Sequence, residues 1–363
     1  MLCREDNDLL TRVGPGTPMG GLFRRHWLPF MLADELVADA APKRLKLLGE
    51  CLVAFRDSQG RAGLLGEHCP HRRASLSLGR NEAGGLRCAY HGWKFDVSGR
   101  CLDMPSEPAG SGFRDKVRAE AYRVTERAGL LWAYLGPAEK RAELAEFEWL
   151  SLPATQRHAS RRVLDCNYAQ ALEGEIDESR MGLAAADGPT PRYTVHEAPY
   201  GLACGARRPA QGDRHLWRIS LFLMPCFTLM PPSDDPHLRL FRAWVPQDDE
   251  HTAVLCVTWR TDRSASEAEL ARWNEAEAAH RELAESTGQI ADRTREHLGT
   301  SDKAVGALRQ RLLGAARRLA QGIEPQTPYD PDCYRVRAHA VTAAGDERDF
   351  IEQEAIRRAM LAP

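Results

Sequence analysis

The first third of the chain is dominated by short runs in which apolar and polar residues alternate. Residues 44–48, 51–55 and 63–65 have the period of two expected of half-buried strands, with a turn at Asp57-Ser58-Gln59-Gly60 between the last two. Residues 93–96, 121–124 and 130–134 repeat the pattern, with a further turn at Val97-Ser98-Gly99-Arg100. Before them, the Gly14-Pro15-Gly16-Thr17-Pro18 loop leads into an apolar and aromatic stretch, 23–32, expected to lie on the core of a following domain. The pattern changes after the charged 138–146 segment. Strands are predicted at 161–164, 193–197, 217–224 and 252–259, and helices at 167 to about 183, at 265 to about 285 and at 303–320. The second helix opens on a capping box at Ser264 and Glu267; the third carries Val305, Leu308, Leu312, Ala315 and Leu319 on one face and stops at Gly322. The fold class is therefore α+β. It comprises an N-terminal segment (1–40) packing on the C-terminal domain, a small antiparallel β domain (41–137), and an antiparallel sheet with helices (138–363).

Length and charge narrow the function classes. The 363 residues suffice for two domains with their own cores. With 49 basic against 51 acidic residues the net charge is -2, so nucleic acid and anionic membranes are not expected partners. The start, Met1-Leu2-Cys3-Arg4-Glu5-Asp6, lacks the apolar core of a secretory signal, and the most apolar run, 221–230, is short and broken by Pro225. The expectation is a soluble, cytoplasmic protein. The ten cysteines are scattered rather than spaced as a disulfide framework.

Chemistry concentrates between Cys69 and His91. Cys69-Pro70-His71 and Cys88-Ala89-Tyr90-His91 form two short donor pairs, and two thiolates with two imidazoles suit a [2Fe-2S] cluster of the Rieske type, in which His replaces Cys on one iron. A tetrahedral zinc site is the competing reading. It usually places two to four residues between ligands, whereas Cys-x-His here leaves one, stiffened by proline. Gly84-Gly85 and His91-Gly92-Trp93 supply tight turns and an aromatic lid. The remaining histidines follow no ligand spacing. The pairs Arg161-Arg162 and Arg207-Arg208 read more simply as solvated strand ends than as carboxylate-binding groups.

Four stretches extend the signal over nearly the whole chain. They are Leu10-Thr11-Arg12-Val13-Gly14-Pro15-Gly16-Thr17-Pro18-Met19-Gly20, the Cys69 to His91 region, Tyr90-His91-Gly92-Trp93-Lys94-Phe95-Asp96, and Asp292-Arg293-Thr294-Arg295-Glu296-His297-Leu298-Gly299. In them the sequence resembles a Rieske non-haem iron oxygenase α subunit of the phthalate dioxygenase group. The resemblance implies a Rieske domain, a helix-grip C-terminal domain, and a ring of three α subunits or two such rings. It also implies a reductase or ferredoxin as electron donor, and electrons crossing a subunit boundary to a mononuclear Fe(II) held by two His and one carboxylate. On the same basis Asp177 is a candidate for the inter-subunit electron path.

The resemblance departs from the family at that iron. Asn167, Gln170, Glu173 and Asp177 fall in the family's register, which puts Arg180 and Ala185 at its two histidine positions; the Glu285-Ser286-Thr287-Gly288-Gln289-Ile290 run puts His280 at its aspartate position. A guanidinium has no lone pair to offer and a methyl group has none. Mononuclear Fe(II) is therefore expected to be absent, with Arg180 free to pair with Glu173 or Asp177 on one helical face, against the alternative of a rebuilt metal site from His280 with Glu173 or Asp177. The reading that follows is an electron-carrying, non-catalytic subunit partnered with a catalytically complete α subunit in a hetero-trimer or hetero-hexamer. Its rivals are an active oxygenase with an unusual metal site and a homo-oligomeric binding or redox-sensing protein.

Overall fold

The computed structural model describes residues 1–108, 110–179, 191–210, 212–231, 237–264, 266, 269 and 281–344. Among them the alternating runs of the first third become strands β1 (Leu28–Leu32), β2 (Lys43–Leu47), β3 (Glu50–Arg56), β4 (Ala62–Gly66), β5 (Arg80–Glu82), β6 (Gly85–Arg87), β7 (Lys94–Phe95), β8 (Cys101–Asp103), β9 (Ala121–Arg127) and β10 (Leu130–Tyr134). They build a six-stranded sheet in the order β1-β10-β9-β4-β3-β2 and a four-stranded one in the order β5-β6-β7-β8. The 23–32 stretch divides: its last five residues form the sheet edge, Leu28 opposite Ala133, while the helices before it lie on the C-terminal domain.

The second half contributes β11 (Arg157–Leu164), β12 (Arg192–Ala198), β13 (Gly201–Pro209), β14 (Arg214–Leu223), β15 (Phe227–Met230), β16 (Leu238–Pro246), β17 (Thr252–Arg260) and β18 (His339–Ala344). All pair antiparallel, in the order β11-β17-β16-β15-β14-β13-β12 with β18 against β14. Four of these, β13, β15, β16 and β18, are strands that local pattern does not announce. In β13 the Gly, Ala, Cys and Arg residues have little intrinsic strand preference, and pairing on both sides holds the segment extended.

The helices are α1 (Arg4–Thr11), α2 (Pro18–Arg24), α3 (Tyr168–Ile176) and α4 (Lys303–Ala320). The bounds of α4 are those that its apolar spacing predicts, and Gly322, at φ 85°, takes the left-handed turn that ends it. The second predicted helix falls mostly outside the described residues. Its capping box is displaced by two positions: the Ser266 N–H donates to Glu269 Oε2 at 2.8 Å, and Ser266 Oγ accepts from the Glu269 N–H at 3.3 Å.

α3 is shorter than expected. Asn167 caps it, accepting from the Ala169 N–H at 3.0 Å, but the chain leaves helical geometry at Asp177. There the carboxylate accepts from the Ser179 N–H at 2.9 Å and its hydroxyl at 2.6 Å, a local side-chain turn that replaces the next helical bonds.

Two apolar clusters organise the molecule. The larger runs from β1 and β10 into the C-terminal sheet, where Trp132, Phe147 and Trp149 stack at about 6 Å. The smaller, including Phe55, Leu65, Leu86 and Phe95, surrounds Cys69 and Cys88. The β2–β3 turn joins the two halves of the chain. Leu48 and Gly49, at φ 49° and 78°, form a tight two-residue hairpin whose N–H groups donate to Pro246 and Gln247 carbonyls at 3.0 and 2.8 Å.

Candidate functional site

The loops that present the four donors share one backbone plan. In the first, the Cys69 N–H donates to the Ala74 carbonyl at 2.9 Å and the Cys69 carbonyl accepts from the Arg73 N–H at 2.9 Å. In the second, the Cys88 N–H donates to the Trp93 carbonyl at 2.8 Å and the Cys88 carbonyl accepts from the Gly92 N–H at 3.1 Å. The fifth residue of each loop is left-handed, Arg73 at φ 63° and Gly92 at φ 74°. Only the second loop uses the residue type without a steric penalty there. Each loop thus aims its cysteine inward and its histidine toward the other loop.

The four side chains converge. Cys69 and Cys88 are buried, 1% and 3% exposed, whereas His71 and His91 are half-buried at the rim with ring centroids 4.6 Å apart. Trp93 lies parallel to His71 at 4.3 Å and donates its Nε1–H to Ser106 Oγ at 3.2 Å, which fixes the imidazole plane. Tyr90 packs on His91 at 3.8 Å yet stays 56% exposed, with Arg72 over its ring. Arg87, one residue before Cys88, anchors the second loop. It donates to Glu82 at 2.7 Å, to Asp103 at 2.8 Å and to the Gly92 carbonyl. His68 turns away and meets the Arg73 carbonyl at 3.1 Å.

The donor chemistry fits a Rieske cluster. Burial pushes the Cys69 thiol up to about 12, and the neighbouring Cys88 and Cys101 thiols add to that shift. Burial keeps that thiol protonated in the apo site, whereas iron ligation removes its proton. His91 is also biased toward the neutral ligating form, by burial and then by His71 and Arg72. When bound, the cluster supplies one-electron transfer.

The C-terminal domain carries a second charged centre. Glu173 of α3 is met by two guanidiniums, Arg293 Nε and Nη2 at 3.0 Å each and Arg309 Nε and Nη2 at 2.8 and 3.0 Å. Arg309 also reaches Glu296 at 2.6 Å, and Arg293 reaches Asn7 of α1 at 3.1 Å. Burial raises the pKa of Glu173, but Arg293 and then Arg309 outweigh it and hold the carboxyl below its ordinary range. Both carboxylate oxygens of Glu173 accept from these guanidiniums. Arg180, Ala185 and His280 themselves lie outside the described residues. Asp177 stands at the wall of a recess of about 250 Å³ shared with Glu296, Asp302 and Leu298.

Two further acids, Glu175 of α3 and Glu178 just beyond it, meet arginines of the sheet: Glu175 pairs with Arg242, and Glu178 accepts from Arg218 Nε at 3.1 Å. Arg207, expected on a solvated strand end, is instead buried with its guanidinium 5.6 Å from the Trp217 ring centre. None of these pairings has a local sequence signal, and Arg87 could have been noticed only as the basic residue directly preceding a donor.

Comparison with known proteins agrees with this geometry. Residues 26–122 match the family model of the Rieske [2Fe-2S] domain. The phthalate 4,5-dioxygenase oxygenase subunit of Pseudomonas putida is 34% identical over 89% of this chain and 88% of its own length. The chain belongs to the Rieske oxygenase α-subunit family. The 3-chlorobenzoate-3,4-dioxygenase oxygenase subunit of Comamonas testosteroni is 43% identical over 71% of this α subunit, a match that takes in 64% of the relative. In fold it resembles dicamba monooxygenase bound to dicamba, with a TM-score of 0.67 at 19% identity over 82% of this chain and 98% of the other. Among the described residues no helix is long and apolar enough to cross a membrane.

Proposed function

We propose that this α subunit is a non-catalytic, electron-carrying member of a hetero-oligomeric oxygenase that hydroxylates or demethylates aromatic rings. The observation that carries the reading is the contrast between its two centres. Cys69, His71, Cys88 and His91 converge with their supports in place, while the family's three iron-ligand positions hold Arg180, Ala185 and His280 and the nearby Glu173 is consumed by arginines. Without three converging donors a facial triad cannot form.

The surfaces support a ring with a catalytically complete α subunit, as a hetero-trimer or hetero-hexamer. The rim over His71 and His91 is basic, with Arg72 and Arg73 exposed, whereas the recess at Asp177 is acidic. Unlike patches on one type of fold suit head-to-tail contact, which closes into rings. Asp177 would then lie on the path between neighbours. A reductase or ferredoxin supplies the electrons, and the cytoplasm is the location this reading assigns.

Iron and sulfide analysis tests it, on the chain alone and co-expressed with a complete α subunit. About two irons per isolated chain and no turnover are expected, with a loss of oxygenase rate in the mixed complex when His91→Ala is introduced here. A third iron together with hydroxylation by the isolated chain would overturn the reading.

A further inference from the structure

The N-terminal domain carries a second groove, lined by none of the four donors. β9 pairs with β4 only through Ala121 and Tyr122, yet continues along β10 as far as Arg127. Where β9 and β4 part, a groove of about 620 Å³ opens between β9, the β3–β4 turn and the segment that leaves β10. That volume is in the range of small-molecule sites.

Its charge is one-sided. Arg56, Arg61, Arg123 and Arg141 line it, against Glu126. Arg56 is committed to Glu126 at 2.8 Å and to the Leu36, Gly60 and Ala33 carbonyls, and Arg61 to Asp57 at 2.7 Å. Arg123 and Arg141 make no side-chain hydrogen bond or ion pair with the described residues, so two cations face the groove uncompensated.

The second observation is independent of charge. Tyr134 lines the same groove and is 2% exposed, but among the described residues its hydroxyl has no hydrogen-bond partner. The hydroxyl sits against Gly136, another lining residue, where an added Cβ would come within 2.7 Å of it. A buried O–H without an acceptor is costly, and buried polar groups without partners are few in folded proteins. An acceptor oxygen entering the groove would complete it.

We propose that this groove binds a small molecule through an oxyanion, a carboxylate or a phosphate group. Arg123 and Arg141 hold its charge and the Tyr134 hydroxyl donates to one oxygen. The site involves neither the cluster loops nor the recess at Asp177, and it stands independently of the role proposed above.

Calorimetric titration of the full, cluster-loaded chain tests the site, with inorganic phosphate and with benzoate in separate arms at an ionic strength fixed by chloride. One-to-one saturable binding of at least one probe is expected. Saturation by phosphate alone assigns a phosphoryl ligand, and saturation by benzoate alone a carboxylate. Tyr134→Phe should weaken binding about tenfold, the loss of one hydrogen bond, and the Arg123→Ala/Arg141→Ala double variant should abolish it while the visible spectrum of the cluster is unchanged. No saturable heat from either probe at millimolar concentration, or an affinity undiminished in the double variant, overturns the proposal.

Discussion

Replacing Glu173 by glutamine tests how the C-terminal domain manages its buried charge. In the native network two carboxylates, Glu173 and Glu296, balance Arg293 and Arg309, whose side chains are 0% and 4% exposed. Glu173→Gln keeps the shape and leaves the group with one positive charge in excess, held away from water. Breaking a buried pair from one side costs about 3–5 kcal/mol, because the remaining charge keeps its desolvation cost and loses its compensation. That is a large share of the roughly 5–15 kcal/mol available to a folded domain. Urea unfolding followed by far-ultraviolet circular dichroism measures the loss, with visible absorption of the cluster reporting separately on the N-terminal domain.

Glu173→Met/Arg293→Met supplies the control. It removes one charge of each sign and leaves Arg309 paired with Glu296, so it should recover more than half of the loss. A single variant that costs under about 1 kcal/mol, or a double variant no more stable than the single, would refute the account. The pH dependence has a definite sign. The folded-state pKa of Glu173 is depressed, so its contribution is present above the ordinary carboxyl range and is lost as pH falls through the folded value.

Two other outcomes are accessible to the same measurements. Gly92→Ala places a Cβ in a left-handed conformation and 3.1 Å from Pro105 Cγ, so it should destabilise the second donor loop by about 1–2 kcal/mol, read as faster cluster loss; Arg73→Gly at the equivalent position should slow it. His26 is buried with its Nδ1 3.0 Å from the Leu22 carbonyl, and burial lowers its pKa to about 4. The unfolded chain binds the proton more readily, so stability should fall as pH drops from about 6.5 toward 4, by about 3 kcal/mol in all. His26→Gln should flatten that slope, and an unchanged pH profile would exclude His26 as its source.

The sequence and the structure divide the explanation between them. Local spacing singled out Cys69, His71, Cys88 and His91 as candidate donors, because a cluster site needs donors a fixed few residues apart on tight turns, and such turns leave glycine and proline in view. It likewise bounded α4, whose apolar face repeats at the helical period over five turns of chain. What it did not contain was the end of α3, where the Asp177 carboxylate prefers its own following residues to another helical turn. Nor did it contain the neutralisation of Glu173 by arginines 120 and 136 residues away. Periodicity and turn chemistry act between near neighbours and are written into adjacent letters. The pairing of buried charges depends on which distant elements share an interior, and only the folded chain brings Arg293 and Arg309 to one carboxylate.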